Sequence, residues 1–337
     1  TLDPTFRVGF GAINGNNNSG LPSDISTYNS REIANVAPFG NEYPAAQKNK
    51  FWSWLNDIRP NNGTPLRLSL DAVGQYYESA QPWNGMESDP DYTTAAASTQ
   101  LACRQSYTIL TTDGFWYGDT PSNIGDTDGT AGPTVTGPNN QSLSYVPVLP
   151  YADGTSTTST DTKTAQCSRN YALKSPDSTH STYYCYRSSN QSVQPPSCSS
   201  GYTLSNDQGT CTRTTTTSNT YSDTLADVAM KYWKADLQSG MSNEVPTNAD
   251  DPAYWQHMAT FTLGLGFSPL YSDQSTPIPM DQVFAWANGD ASKAISGFTW
   301  PKPSSDNLNN IADLAHAAVN GHGGFFSAKS PDEFANG

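Results

Sequence analysis

The chain has 337 residues, with 17 Lys plus Arg against 31 Asp plus Glu, a formal net charge of −14. Nucleic-acid backbones and anionic lipid surfaces are bound by Lys and Arg, so this balance excludes both as main partners. Charged residues are only 14% of the chain, and Ser, Thr, Asn and Gln carry the polar load, as in many secreted and surface proteins. No apolar run approaches the ~20 residues of a membrane helix, and no leader-like segment opens the sequence at Thr1. The length suits two domains, or one domain with a large insertion.

In chain order, residues 6–14 (FRVGFGAIN) and 32–39 (EIANVAPF) predict strands separated by an Asn/Ser-rich loop. Phe51, Trp54, Leu55 and Ile58 lie at helical spacing in 47–58. A second helix is predicted from Pro65 through Leu66, Leu70, Val73 and Tyr77, after the break at Gly63. Residues 106–112 (SYTILTT) predict a buried parallel strand ending at Asp113-Gly114, so that Asp113 stands at the C-terminal edge of a sheet, where α/β proteins place ligands. The middle of the chain, 115–221, differs in kind. It holds GDTDGTAGP, a Pro-rich stretch to Tyr151, and then a Ser/Thr-rich section, and it predicts an insertion of loops and short strands. A helix returns at 222–233 with Ser222 as the expected cap, followed by a strand at 258–265 and a last amphipathic helix at 308–319 stopped by Gly321. The alternation predicts an α/β fold with a parallel sheet, in the segments 1–114 and 222–337 on either side of the insertion.

Four of the five cysteines, Cys167, Cys185, Cys198 and Cys211, fall in the part of the insertion poorest in aliphatic side chains. Such a segment is held by disulfides in an oxidising compartment, in one of three pairings. Cys103 is then left over, either as a buried free thiol or with its partner outside residues 1–337.

Two groups of residues carry candidate chemistry. Thr64 and Asp113 offer a hydroxyl and a carboxylate, hard oxygen donors suited to Mg²⁺, Mn²⁺ or Ca²⁺, on loops that an α/β sheet brings to one edge. The plainer alternative is a helix cap at Thr64 and an ordinary turn at Asp113-Gly114. Asp126, Asp128 and Gly129 (DTDG) resemble the opening of a calcium loop, although position 137, where a closing Glu would stand, is Gly. An Asp-rich turn is the alternative there. The aromatic turns Trp52/Trp54, Trp83 and Phe115-Trp116-Tyr117 suit either glycan stacking or core packing, and His257 and His316 fall in apolar patterns that suit the core. No nucleophile elbow, HExxH spacing, phosphate loop or carboxylate pair for acid–base work is present.

Five strings in order resemble the N-terminal von Willebrand factor A-like domain of the PilC/PilY family of type IV pilus tip-associated adhesins and biogenesis factors. They are GTPLRLSL (63–70), CRQSYTILTTDGFW (103–116), TLADVAMKYWKADL (224–237), WQHMATFTLGLG (255–266) and DLAHAAVNGHGGFFSA (313–328). The resemblance implies a doubly wound, mostly parallel sheet flanked by helices and a metal-ion-dependent adhesion site. In that site Thr64 matches the second metal loop and Asp113 the third. The first loop, D-x-S-x-S after the first strand, is missing, because the chain opens at what resembles the second strand. The resemblance therefore implies an upstream segment holding that strand, in which Cys103 would find its partner. It also implies a C-terminal β-propeller beyond residue 337. Two donors alone are too few for a tight site unless water or a partner's carboxylate completes the shell. The expected partners are minor pilins or other pilus tip components, and a host surface protein or glycan, at the cell surface. The alternatives are a filament-capping module with a vestigial metal site and a secreted metal-dependent hydrolase.

Overall fold

The computed structural model describes residues 6–14, 24–40, 47–59, 63–86, 89, 99–118, 120–154, 156–218 and 220–328. The chain divides into two compact units, one formed by 1–154 with 220–337 and the other by 155–219. The insertion expected over 115–221 thus separates only from residue 155. Its first part belongs with the larger unit, because Trp116, Ile124, Val135 and Tyr145 are all buried there.

In the larger unit, β1 (Arg7–Phe10), β2 (Ile25–Tyr28) and β3 (Arg31–Pro38) form an antiparallel sheet in the order β1-β3-β2. The sequence reading missed β2 and did not foresee this separate antiparallel sheet. Two helices follow, α1 (Gln47–Asp57) and α2 (Leu66–Glu78). Helix α2 buries Leu66, Leu70 and Tyr77 as its spacing predicts and leaves Val73 half-buried; Ala72, Gly74 and Tyr76 are buried as well, so the helix is covered on more than one side.

The second sheet is parallel. Strand β4 (Tyr107–Thr112) pairs with β13 (Ala259–Leu265), which pairs with β14 (His322–Ala328). Between β4 and β13 the chain passes through the short hairpin β5 (Val135–Thr136) and β6 (Ser142–Leu143), then the smaller unit, then α3 (Leu225–Lys234). Between β13 and β14 come α4 (Met280–Ala287) and α5 (Asn309–Asn320). Parallel strands need such crossovers, and here helices supply them.

Helices α5 and α3 are buried at every residue but Asn309 and Lys231 respectively. With α2 they enclose the main core of Leu66, Leu70, Trp83, Leu110, Leu225, Val228, Tyr232, Met258 and Leu314. Helices α2 and α3 approach closely at Gly74, where a Cβ would lie 2.2 Å from the Tyr232 ring. Any larger residue would push the two helices apart. The inner face of the parallel sheet is polar in places, and Thr262 Oγ1 donates to the Leu314 carbonyl at 2.9 Å. The other face is open among the described residues. Ile109 is 72% exposed and Tyr107 50%, so β4 is not the fully buried strand its sequence suggests.

The smaller unit is all β. Strand β7 (Ser156–Thr164) pairs along its whole length with β12 (Thr210–Ser218), which also pairs with β11 (Thr203–Leu204). Strands β8 (Ala172–Lys174), β9 (Tyr184–Arg187) and β10 (Ser192–Gln194) form a second antiparallel sheet. Disulfides Cys167–Cys185 and Cys198–Cys211 select one of the three pairings, and Cys103 is a free, exposed thiol.

Candidate functional site

Asp113 follows directly on the last residue of β4 and is exposed, at the C-terminal end of a parallel strand, as the sequence predicts. The turn after it is fixed. Thr112 is buried, and its Oγ1 accepts from the Gly114 N–H at 3.1 Å. Gly114 sits at φ +92°, where a Cβ would also strike Ile311 of α5 at 2.1 Å, so glycine is required twice over. Trp116 then anchors the loop. It is buried, it donates from Nε1 to Asp313 Oδ2 at 3.2 Å, and the Arg67 guanidinium lies 4.1 Å over its ring.

The same loop meets the one carrying Thr64. The Tyr117 N–H donates to the Thr64 carbonyl at 3.0 Å. Arg67, the second residue of α2, donates to the Gly118 carbonyl at 3.1 Å. Thr64 is half-buried, and it does not serve as the cap of the plainer reading: Pro65 is the N-cap residue of α2, and no side chain caps that end. The loop carrying Thr64 therefore meets the loop after β4 at Tyr117, four residues beyond the exposed Asp113. Of the aromatic turn, Trp116 is core while Tyr117 stands 58% exposed against the loop carrying Thr64. Trp83 is likewise core, and His257 and His316 are buried as their patterns predict.

The DTDG segment lies in a second, mostly buried acidic group, and it gains a third carboxylate that the sequence reading missed. Oxygen atoms of Asp126, Asp128 and Asp227 lie within 4.8 Å of one another. Asp227 stands in the first turn of α3, whose cap is Thr224 rather than the expected Ser222. Thr224 Oγ1 accepts from the Asp227 N–H at 3.0 Å, and Asp227 Oδ2 accepts from the Thr224 N–H at 2.9 Å. Asp227 Oδ1 accepts from the N–H groups of Thr127 at 2.6 Å and Asp128 at 3.2 Å, which ties the DTDG loop to the helix. The string Thr-Leu-Ala-Asp at 224–227 carries the capping-box signal in the sequence. Nothing in the sequence says that the box also receives a loop about a hundred residues upstream.

Around this group burial moves carboxyl groups above the ordinary carboxylate range. Burial raises Asp153 to about 8, Asp227 to about 7 and Asp313 to about 6, and it raises Asp128, with Asp227 and Asp153 adding repulsion. Burial moves the basic groups the other way. His316 falls to about 3, and Lys234 is lowered too. The Lys234 ammonium donates to the Thr127 and Thr130 carbonyls at 2.6 and 2.8 Å.

No family model matches the chain, and no solved structure matches it. Curated relatives do. The type IV pilus biogenesis factor PilY1 of Pseudomonas aeruginosa strain PAO1 is 29% identical over 349 residues, covering 99% of this chain and 23% of that protein. The PilY1 proteins of strains PAK and UCBPP-PA14 are 29% and 30% identical over 309 and 323 residues, covering 87% and 90% of this chain and 20% of each relative. The chain spans about a fifth of the length of the relatives it matches. Their names support the PilC/PilY resemblance carried by the five strings.

Proposed function

We propose that this chain is a binding module of a type IV pilus biogenesis factor, with a von Willebrand factor A-like fold and a divalent-cation adhesion rim at Thr64 and Asp113. The observation that carries the reading is the main-chain bond from Tyr117 to Thr64, which brings the loop after β4 against the loop before α2. Strand β4 is an edge strand of its sheet, and on this reading its open side receives a strand from outside residues 1–337 that brings the first metal loop. A partner's carboxylate completes the cation's shell, which makes binding metal-dependent and suits minor pilins, other tip components or an acidic host ligand. What supports a binder over a hydrolase is that the curated relatives are named as type IV pilus biogenesis factors.

The test is binding of purified minor pilins in MgCl₂ or MnCl₂ against EDTA, with Thr64→Val and Asp113→Ala. The expected result is binding lost in EDTA and in both variants, together with defective pilus assembly in cells carrying Asp113→Ala. Intact assembly with that variant makes the rim vestigial and leaves a filament-capping role. Turnover in a hydrolase panel that needs Mn²⁺ and disappears in Asp113→Asn replaces the reading with an enzyme.

A further inference from the structure

Two buried oxygens in the acidic group have nothing to bond. Asp128 is fully buried; its Oδ2 accepts from Asn320 Nδ2 at 2.9 Å, while its Oδ1 has no partner. Asn320, also fully buried at the end of α5, spends its Nδ2 on Asp128 and on the Ala226 carbonyl and leaves its own Oδ1 without a partner. An unsatisfied buried oxygen is costly, and native structures rarely keep one without an ion, water or proton to explain it. Here two occur on side chains in direct contact, and one of them belongs to a trio of carboxylates.

The nearest ammonium does not fill the gap. Lys234 directs its N–H groups to the carbonyls of Thr127 and Thr130 and to Thr130 Oγ1, not to a carboxylate. His316 Nε2 donates to the Tyr151 carbonyl and stands 3.6 Å from Asp128 Oδ2. The donors left over are all hard oxygens, with no imidazole nitrogen or thiolate among them. That set selects Ca²⁺ over the softer transition metals, and Ca²⁺ tolerates the irregular shell of a loop better than Mg²⁺ does.

We propose that Asp126, Asp128 and Asp227 hold a calcium ion, with Asn320 Oδ1 available as a neutral fourth donor. The ion pins the loop 126–130 to the start of α3 and the end of α5. This site is distinct from the rim at Thr64 and Asp113, and it does not depend on the pilus reading.

The test is thermal melting and calorimetric titration of the EGTA-treated chain with CaCl₂, up to about 10 mM, beyond the ~10⁻³ M of the weakest extracellular calcium sites. The expected result is a melting temperature that rises with the logarithm of free Ca²⁺. Asp126→Asn and Asp128→Asn should each weaken binding about tenfold or more. Asp126→Asn keeps an oxygen for the Gly129 N–H that Asp126 Oδ1 now serves at 2.8 Å, so it tests the charge without removing the turn. A wild-type chain indifferent to CaCl₂ overturns the proposal. So does a response retained in both variants, or one lost in Asp113→Asn, which assigns the ion to the rim.

Discussion

The two units solve the problem of cohesion by different means. The larger one buries Trp83, Trp255, Trp300, Tyr76, Tyr232, Leu66, Leu70, Leu225, Met230, Met258, Ile311 and Leu314 almost completely. In the smaller one, the buried hydrophobic side chains among the described residues are Ala165, Cys185 and Cys211. A segment of that composition cannot offset its conformational entropy by apolar burial. It relies instead on the long β7–β12 ladder, on Thr–Thr contacts such as Thr158 with Thr216, and on two covalent links. The contrast teaches that one chain can hold a region that folds on side-chain volume and another that folds on main-chain pairing and sulfur, and that the two should fail under different insults.

The largest effect expected from breaking this contrast lies in the larger unit. Trp255 is fully buried, packs 5.8 Å from the Trp233 ring and donates from Nε1 to the Trp233 carbonyl at 2.8 Å. Trp255→Ala should cost about 3–5 kcal/mol and lower the main unfolding transition seen by calorimetry. Hydrogen exchange in β7 and β12 should stay as it was. Exchange that rises equally in both units would show that they fold as one cooperative body.

The reciprocal insult is reduction. The disulfides span 18 and 13 residues, and each should contribute about 3 kcal/mol by restricting the unfolded chain. Cys167→Ser with Cys185→Ser, or mild reductant, should make β8, β9 and β10 exchange-labile while the tryptophan fluorescence of the larger unit is unchanged. A shift in that fluorescence on reduction would sink the division of labour.

How much of this was legible in the sequence follows the same line. Strands β4 and β13 and helices α2 and α5 were readable because each pairs one burial face with one clear stop, as Asp113-Gly114 stops β4 and Gly321 stops α5. The disulfide framework was readable from composition, but its pairing was not, since four cysteines carry no information about which neighbours the strands create. Strand β14 was missed because Gly323-Gly324 in its centre reads as a loop; those glycines admit the close approach of β13, where a Cβ at position 323 would lie 2.1 Å from the Thr260 carbonyl oxygen. The split at residue 155 was missed because 115–154 is as poor in periodicity as the segment after it, and only the packing of Trp116, Ile124 and Tyr145 distinguishes the two. Of the acidic group, Asp126 and Asp128 were visible as a motif. Asp227 was not, because its role depends on a contact between distant parts of the chain.

The smallest expected effect separates the units by pH. In the larger unit, burial holds Asp153, Asp227 and Asp313 at about 8, 7 and 6, above their ordinary 3.8. Between those limits the folded chain keeps protons that the unfolded chain has released, which lowers stability as pH rises. Below about 6.5 the buried His316 and His322, lowered to about 3 and about 4, work in the opposite direction. The carboxylates therefore act unopposed by these histidines only from about pH 6.5 to 8. In the smaller unit, hydrogen bonds from Tyr202, Tyr184 and Ser205 lower Asp161, Asp177 and Asp207. There the unfolded chain takes up protons first, so stability holds above about 4 and is lost only as pH falls below it. The exposed Asp273 and Asp290 of the larger unit share that second direction, but water screens them more than it does the buried trio. The expected outcome is therefore a melting temperature for the larger unit that drops between about pH 6.5 and pH 8 in EGTA, with Asp153→Asn flattening the slope and the smaller unit indifferent over the same range. Calcium at pH 8 should recover part of the drop, because an ion among Asp126, Asp128 and Asp227 replaces the protons that the buried Asp128 and Asp227 otherwise need. A larger unit that gains stability from about pH 6.5 to pH 8 without calcium would mean that the buried carboxylates are charged and matched by donors at every pH, and would remove the physical reason for placing an ion among them.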